Sequence, residues 1–321
     1  MKIAILQLSD IHIDSDTNFI FQHKEEFFRS CKHIINECSK LIIVITGDIA
    51  YHGSQHEYDL AYQWLKECEE KWKSEADYLN SIEYICVPGN HDCDFSQSNS
   101  VRKIIIQSVL KNDSLNEDEN EIDEVCLNVQ KNFWNFYQRL RSDIKSPQIS
   151  WYHRIPIKLD ELTFKFCCYN TAFLSQLEEK PGMLLMPENK FINNETTDCN
   201  DFIISLFHHN TGWLNPNTAH NNKKTFEQHL YSKSNIVMCG HEHSDKRQVI
   251  SELGEYDEII YLENEAFQNE NSSGYGLLLF NTEDNSITSF TYKYKNGIYI
   301  TKSQNDFPIY KKQTGILTTV Q

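Results

Sequence analysis

The chain is poor in the residues that break or staple a backbone. It has 7 prolines and 11 glycines in 321 residues, and no collagen-like tract or Pro/Gly/Ser-rich linker is visible. There are 10 cysteines, yet no two form a Cys-x-x-Cys pair, so the usual zinc-thiolate and redox signatures are missing. Cys86, Cys167 and Cys239 lie inside apolar runs and read as small buried hydrophobes. No apolar run approaches the ~20 residues needed to span a bilayer. Met1 to Leu8 offers only Lys2 as the basic start of a signal peptide. Cationic side chains are scarce as well: 30 Lys and Arg stand against 46 Asp and Glu, a net charge of -16. Such a chain repels polyanions, which argues against a broad nucleic-acid face. These absences predict a reduced, cytoplasmic protein without disulfides or a membrane span. They say nothing of oligomeric state.

What is present is a large supply of core: 40% of residues are hydrophobic and 12% aromatic. Met1 to Leu8 and Leu41 to Ile45 are continuous apolar runs that read as buried parallel strands. Lys24 to Lys40 places Phe27, Phe28, Cys31, Ile34 and Ile35 at helical spacing. Gln55 to Lys73 does the same with Tyr58, Ala61, Tyr62, Leu65 and Cys68. Ile82 to Val87 is a third strand, stopped by Pro88-Gly89. This β-α-β-α-β order predicts a parallel sheet with right-handed crossovers. Asn112 to Glu124 is the most polar stretch, and Leu127 to Leu140 reads as an aromatic-rich helix. The region from about 95 to 150 is therefore a helical and acidic insertion, with two readings: a cap over the site or an ordinary surface excursion. From Trp151 onward short strands dominate, and the part from about 246 is β-rich. The whole, 1–321, reads as one α/β domain: two sheets packed face to face and flanked by helices.

The polar residues that matter stand where these strands end. Asp10-Ile11-His12 follows the first strand, Gly47-Asp48 the second and Gly89-Asn90-His91-Asp92 the third. His208-His209 follows Phe202 to Phe207, and Gly240-His241-Glu242-His243 follows Ile236 to Met238. Strand ends are where an α/β sheet presents a site. Carboxylate, amide and imidazole donors without cysteine suit manganese, iron or zinc. A bridged pair of ions needs one carboxylate that touches both, and Asp48 on its tight turn suits that place. Asp10 with His12, and His241 with His243, are two apart, so on extended backbone each pair points one way. Asn90 offers an amide oxygen. His91 would point toward substrate, to protonate the leaving group or to stabilise charge on the phosphoryl oxygens, and Asp92 would hold the His91 ring.

Together Asp10-x-His12, Gly47-Asp48, Gly89-Asn90-His91-Asp92, His208 and Gly240-His241-x-His243 resemble the motif set of the calcineurin-like metallophosphoesterase superfamily. The resemblance covers about Met1 to Asp245. It implies a β-sandwich flanked by helices and two divalent or trivalent transition metal ions. Asp10, His12, Asp48 and His243 would bind one ion. Asp48, Asn90, His208 and His241 would bind the other, with His91 as the catalytic histidine. Leu8 to His12 and the His208-His209 pair are most similar to the bacterial phosphodiesterase branch. That branch commonly has proline after the histidine pair, where this chain has Asn210.

The leading expectation is hydrolysis of a small anionic phosphate ester, most of all a nucleotide-like diester. Two alternatives stand beside it. A nuclease subunit would need a basic track that a charge of -16 does not supply. A non-catalytic scaffold of the same fold usually lacks a ligand, and here none is missing. His52 and His56 read as solvated more readily than as substrate contacts. Asn170-Thr171 is a candidate for the layer behind the ligands, and Glu242 is expected to turn away from the metals by strand alternation.

Overall fold

Long apolar runs in the first third build the sheet that carries most of the site. The structure, a computed structural model, describes residues 1–112, 124–141, 150–159, 162–187, 191, 201–218, 221–252, 256–269 and 272–309. Strands β1 (Lys2–Leu8), β2 (Lys40–Thr46) and β3 (Ser81–Val87) pair in parallel, with Ile5 opposite Ile42 and Ile42 opposite Glu83. Ile3 to Leu6 and Leu41 to Ile45 are fully buried, as expected of strands covered on both faces. The connections run through a short α1 (Phe19–Gln22), α2 (Lys24–Ile35) and α3 (Gln55–Glu75). The start of α3 is fixed by reciprocal bonds: Ser54 Oγ accepts from Glu57 N, and the Glu57 carboxylate accepts from Ser54 N.

After β3 come α4 (Ser100–Asn112) and α5 (Lys131–Leu140). A second sheet follows from β4 (Tyr152–Leu159), β5 (Leu162–Tyr169), β6 (Asp201–Leu206), β7 (Ile236–Cys239), β8 (Lys246–Glu252) and β9 (Tyr256–Glu263), with α6 (Asn222–Lys233) between β6 and β7. Its order is β4-β5-β6-β7-β9-β8, parallel from β5 to β9 with antiparallel edges. The chain then returns through β10 (Gly274–Asn281), β11 (Ser286–Lys295) and β12 (Ile298–Pro308). The first sheet is thus completed as β12-β11-β10-β1-β2-β3.

Period-two patterning stacks the two sheets. Phe202, Ile204, Leu206, Ile236 and Met238 turn into the main core, whereas Ile203, Phe207, Val237 and Cys239 turn toward Phe226 and Leu230 of α6. Phe280 of β10 meets Phe164 at 4.9 Å and Phe202 at 5.6 Å across the seam. The two-sheet sandwich flanked by helices is the architecture the sequence predicts.

The described helices between residues 95 and 150 pack against the rest of the fold. Tyr58 of α3 and Phe136 of α5 lie 5.1 Å apart. Buried Arg102 of α4 donates from Nε to Cys126 O and from Nη2 to Phe173 O and Ser175 O. The helix expected over Leu127 to Leu140 begins later, at Lys131, after a 3-10 turn at Asn128–Gln130. Most of the acidic stretch Asn112 to Glu124 lies outside the described residues. The nine described cysteines are buried and unbridged. Among the described residues no helix is long and apolar enough to cross a membrane.

Candidate metal centre

Each ligand-bearing loop leaves the end of a strand, and backbone bonds lace the loops together. Asp10 N donates to Gly47 O at 3.1 Å, and the Ile11 and His12 amides both donate to Asp48 O at 2.8 and 2.9 Å. The loop after β6 is tied to the loop after β7 by Gly240 N to His208 O, 3.1 Å. Gln268 reaches across, its Nε2 donating to His12 O at 3.1 Å.

The convergence differs in kind from the sequence expectation. Asp10 and His12 do not share an extended segment, and neither do His241 and His243. Their φ angles are +52°, +50°, +78° and +50°, and Asp48 joins them at +55°. Left-handed backbone costs roughly 1–2 kcal/mol per non-glycine residue, so five such residues in one place persist only because the surroundings over-determine them. Glu242 does turn away, but from a turn rather than a strand, and its Oε1 accepts from Trp213 Nε1 at 2.5 Å.

Two overlapping sets of donor atoms result. Asp10 Oδ1 lies 3.3 Å from His243 Nε2 and 3.9 Å from His12 Nε2. The two imidazole nitrogens are 3.3 Å apart. In the second set, His208 Nε2 lies 3.2 Å from Asp48 Oδ2 and 3.1 Å from both Asn90 Oδ1 and His241 Nδ1. Asp48 Oδ2 also lies 4.0 Å from His12 Nε2, so it reaches both sets.

These sets fit metal ions on chemical grounds. His208 Nδ1 donates to Thr46 O at 2.8 Å, which leaves a lone pair on Nε2 in the neutral ring. That lone pair faces a carboxylate, an amide oxygen and another imidazole nitrogen. Asp10 Oδ1 is buried with no hydrogen-bond partner, although Oδ2 accepts from Ser9 Oγ at 2.5 Å and from His241 N at 3.1 Å. Acceptors crowded together out of water need a cation among them.

The protein alone answers with a proton. Burial opposes charge on His208, but Asp48 outweighs it and pushes the pKa up to about 10. Burial likewise works against the Asp10 carboxylate, and His243 and His208 overcome it, lowering its pKa to about 2. Asp48 is held well below the usual carboxylate range, against the cost of burial, chiefly by His208. His241 is driven the other way, down to about 2, by burial and then by His209 and His208.

Three glycines leave room for the ligands by having no side chain, and a Cβ at Gly47 would fall 2.4 Å from His208 Nδ1. A Cβ at Gly89 would fall 2.1 Å from Asp48 Oδ1, and one at Gly240 would fall 1.8 Å from Ser9 Oγ and 2.8 Å from Asp10 Oδ2.

His91 and Asp92 divide their work differently from the sequence expectation. His91 Nδ1 meets Tyr51 O at 2.8 Å, and its ring stacks on Tyr51 at 5.0 Å. Asp92 does not touch that ring. Its Oδ1 accepts from the Ile49 and Ala50 amides, both at 3.0 Å, and from Tyr58 OH at 2.8 Å, while Oδ2 accepts from Gly89 N at 2.9 Å. Asp92 therefore ties the loop after β2 to the loop after β3. The orienting group is a carbonyl, and no side-chain pattern reveals which carbonyl a histidine will find.

His209 also brings a ring nitrogen within 4.8 Å of donor atoms on His208 and His241, but its two nitrogens face other side chains. It is buried, with Nδ1 3.2 Å from Thr171 Oγ1 and Nε2 3.3 Å from Glu179 Oε2. Thr171 thus contacts His209 rather than an assigned ligand, and Asn170 pairs with Gln130. His52 is exposed and pairs with Glu57 at 3.1 Å; His56 is exposed. Ser9, Thr46, Tyr51, Glu179, Trp213 and Gln268 were not legible as site residues. Ser9 alone had a local signal, as a hydroxyl next to a buried carboxylate.

With this geometry in place, comparison with known proteins is direct. A sequence model of the calcineurin-like phosphoesterase family matches residues 3–245. The chain belongs to that family, whose members are metal-dependent phosphoester hydrolases. It is 21% identical over 325 residues to the uncharacterized metallophosphoesterase-like protein YydB of Bacillus subtilis (strain 168), covering 95% of this chain and 62% of that protein. The chain thus spans about three fifths of the length of that curated relative. Among solved structures, zinc-complexed wild-type Vps29 of Entamoeba histolytica matches at 10% identity and a TM-score of 0.40, over 94% of this chain and 98% of that one. The calcineurin-like phosphoesterase YfkN of Bacillus subtilis matches at 12% identity and a TM-score of 0.39, over 95% and 90%.

Proposed function

We propose that this chain is a two-metal phosphodiesterase that hydrolyses a nucleotide-like or other small anionic phosphate ester. The observation that carries the reading is Asp48 Oδ2, which lies within 3.2 Å of His208 Nε2 and 4.0 Å of His12 Nε2. One carboxylate is thereby shared between two groups of donors. Asp10, His12, Asp48 and His243 would hold one ion, and Asp48, Asn90, His208 and His241 the other. Manganese, iron and zinc suit this donor set. Bound there, the ions supply Lewis acidity toward a phosphoryl oxygen and a water that ionises near neutral pH.

The chain's own groups do the rest. His91 spends Nδ1–H on Tyr51 O, so in the doubly protonated ring Nε2–H is the proton left for the leaving oxygen, and the ring ends neutral. Stacking on Tyr51 holds that ring at a fixed angle. His91, His12 and Asp48 offer donor atoms within 4.8 Å of one another, which supports a proton source beside the ligand set. Asp10 and Asp48 keep their negative charge near neutral pH, so the cradle attracts cations although the chain as a whole repels polyanions. This selects a small ester over a long nucleic acid. We read the chain as one cytoplasmic domain over 1–321, with 95–150 as its insertion.

The test is turnover of bis-p-nitrophenyl phosphate after reconstitution with manganese, iron, zinc or nickel. His91→Ala is expected to lower kcat by roughly 10²–10⁴-fold with metal content unchanged. No turnover with any of the four metals overturns the reading.

A further inference from the structure

Two aromatic rings flank the ligand set, and they are not equally available. Tyr51 is 44% exposed, but one face already stacks on His91, with centroids 5.0 Å apart and planes 29° apart. His52 stands perpendicular to it at 4.7 Å. Tyr51 thus serves His91. Trp213 lies against the other donor set. Its ring meets His241 in a T-shape at 4.2 Å and 87°, and His209 is tilted at 5.8 Å. It is partly exposed, and among the described residues no ring stacks parallel on it.

The indole is also held firmly. Asn210 caps a 3-10 turn at Thr211–Trp213, with Oδ1 accepting from Gly212 N at 2.9 Å. Trp213 O accepts from Leu184 N at 2.9 Å. Glu242, between the two ligand histidines, accepts from the indole Nε1 at 2.5 Å. A buried edge would explain the packing, but it does not explain why a carboxylate on the ligand loop fixes the ring. A rigid, partly open aromatic surface beside an anion site is pre-organised for stacking, because its ordering cost is met before any ligand arrives.

We propose that Trp213 is the specificity residue of this site, a platform for a planar ring carried by the substrate. The leaving group departs toward His91, on the Tyr51 side. The ring on Trp213 therefore belongs to the substituent that stays on phosphorus. The substrate class is a phosphate ester with an aromatic or heteroaromatic group on that retained side. This deepens the phosphodiesterase reading and rests on it.

Binding separates the two ideas from each other. Phenylphosphonate and ethylphosphonate are not hydrolysed, and their affinities for the manganese-loaded protein can be compared by calorimetry. Stacking predicts a preference for phenylphosphonate of about tenfold. Trp213→Ala brings the ratio to about one with metal content intact, and Trp213→Phe keeps most of it. Should Trp213→Ala fail to fold, Glu242→Ala releases the indole from outside the core, and the ratio falls by roughly threefold or more. Equal affinities in the native protein, or a preference that survives both variants, overturn the platform. A protein that shows the preference yet hydrolyses no ester refutes the phosphodiesterase reading instead.

Discussion

Gly89→Ala adds one methyl group at the point where the third strand meets the shared carboxylate. The new Cβ would sit 2.1 Å from Asp48 Oδ1, 2.7 Å from Asp48 N and 2.8 Å from Asp48 Cγ. Ordinary contact begins near 3.4 Å, so the carboxylate must retreat by more than an ångström. Rotation of the side chain is not enough, because the backbone nitrogen is crowded as well. Asp48 Oδ1 accepts from His91 N at 2.8 Å, a bond to a charged group worth about 1.5–3 kcal/mol. Moving the loop weakens that bond and misplaces Asp48 between both donor sets. A misplacement of about 1 Å near the chemistry costs roughly 10²-fold in rate. The measurements are metal stoichiometry after dialysis and kcat on bis-p-nitrophenyl phosphate. Gly297→Ala is the contrast: its φ is +85° but a Cβ there meets nothing within 4 Å. It should cost about 1–2 kcal/mol of stability through backbone strain alone and leave metal content unchanged. If Gly89→Ala binds two ions per chain with native turnover, the close-approach argument is wrong.

Two further outcomes follow from groups outside the donor sets. Asp92→Ala leaves the Gly89, Ile49 and Ala50 amides and Tyr58 OH without their acceptor, and metal-free urea unfolding should show a loss of about 3 kcal/mol or more; a loss below about 1 kcal/mol would contradict a bracing role. His153 has an enclosed Nε2 without a partner, and burial, then Arg141, lowers its pKa to about 4. The fold holds this ring neutral while the unfolded chain protonates near 6.5, so stability is full above that value and declines as pH falls toward 4. The loss approaches ~3 kcal/mol, and His153→Phe in chelator should flatten that part of the profile; an unchanged slope would exclude the ring as its source.

The fold was legible where burial is one-sided or complete. β1 and β2 read as parallel strands because no polar residue interrupts Ile3 to Leu6 or Leu41 to Ile45. The return strands β10 and β11 are followed by Asn285 and by Asn296-Gly297, turn residue types that adopt left-handed backbone here. Helix α6 and strand β12 are among the elements that escaped. Helix α6 buries Phe226 and Leu230 as its large apolar residues, too narrow a stripe to stand out. β12 is an edge strand with mostly exposed side chains, set by its hairpin with β11 rather than by its own pattern. In the site, residue types and strand ends were readable, but the backbone was not. Alternation placed Asp10 beside His12 for a reason that does not hold, since both lie in left-handed turns. The contacts that orient the rings, Thr46 O for His208 and Tyr51 O for His91, come from main-chain atoms that every residue possesses.

The donor atoms come from both layers of the sandwich. Asp10 and Asp48 follow strands of the first sheet, whereas His208, His241 and His243 follow strands of the second. Any ion held jointly by these groups is a rivet through the rim, joining positions more than a hundred residues apart in the chain. Such a rivet closes a very long loop in the unfolded chain, and its binding energy is available only when the layers are aligned. Chelation would therefore do more than silence chemistry. It would loosen that edge of the sandwich, leaving Asp48 and His208, 3.2 Å apart, to join the layers through a proton alone.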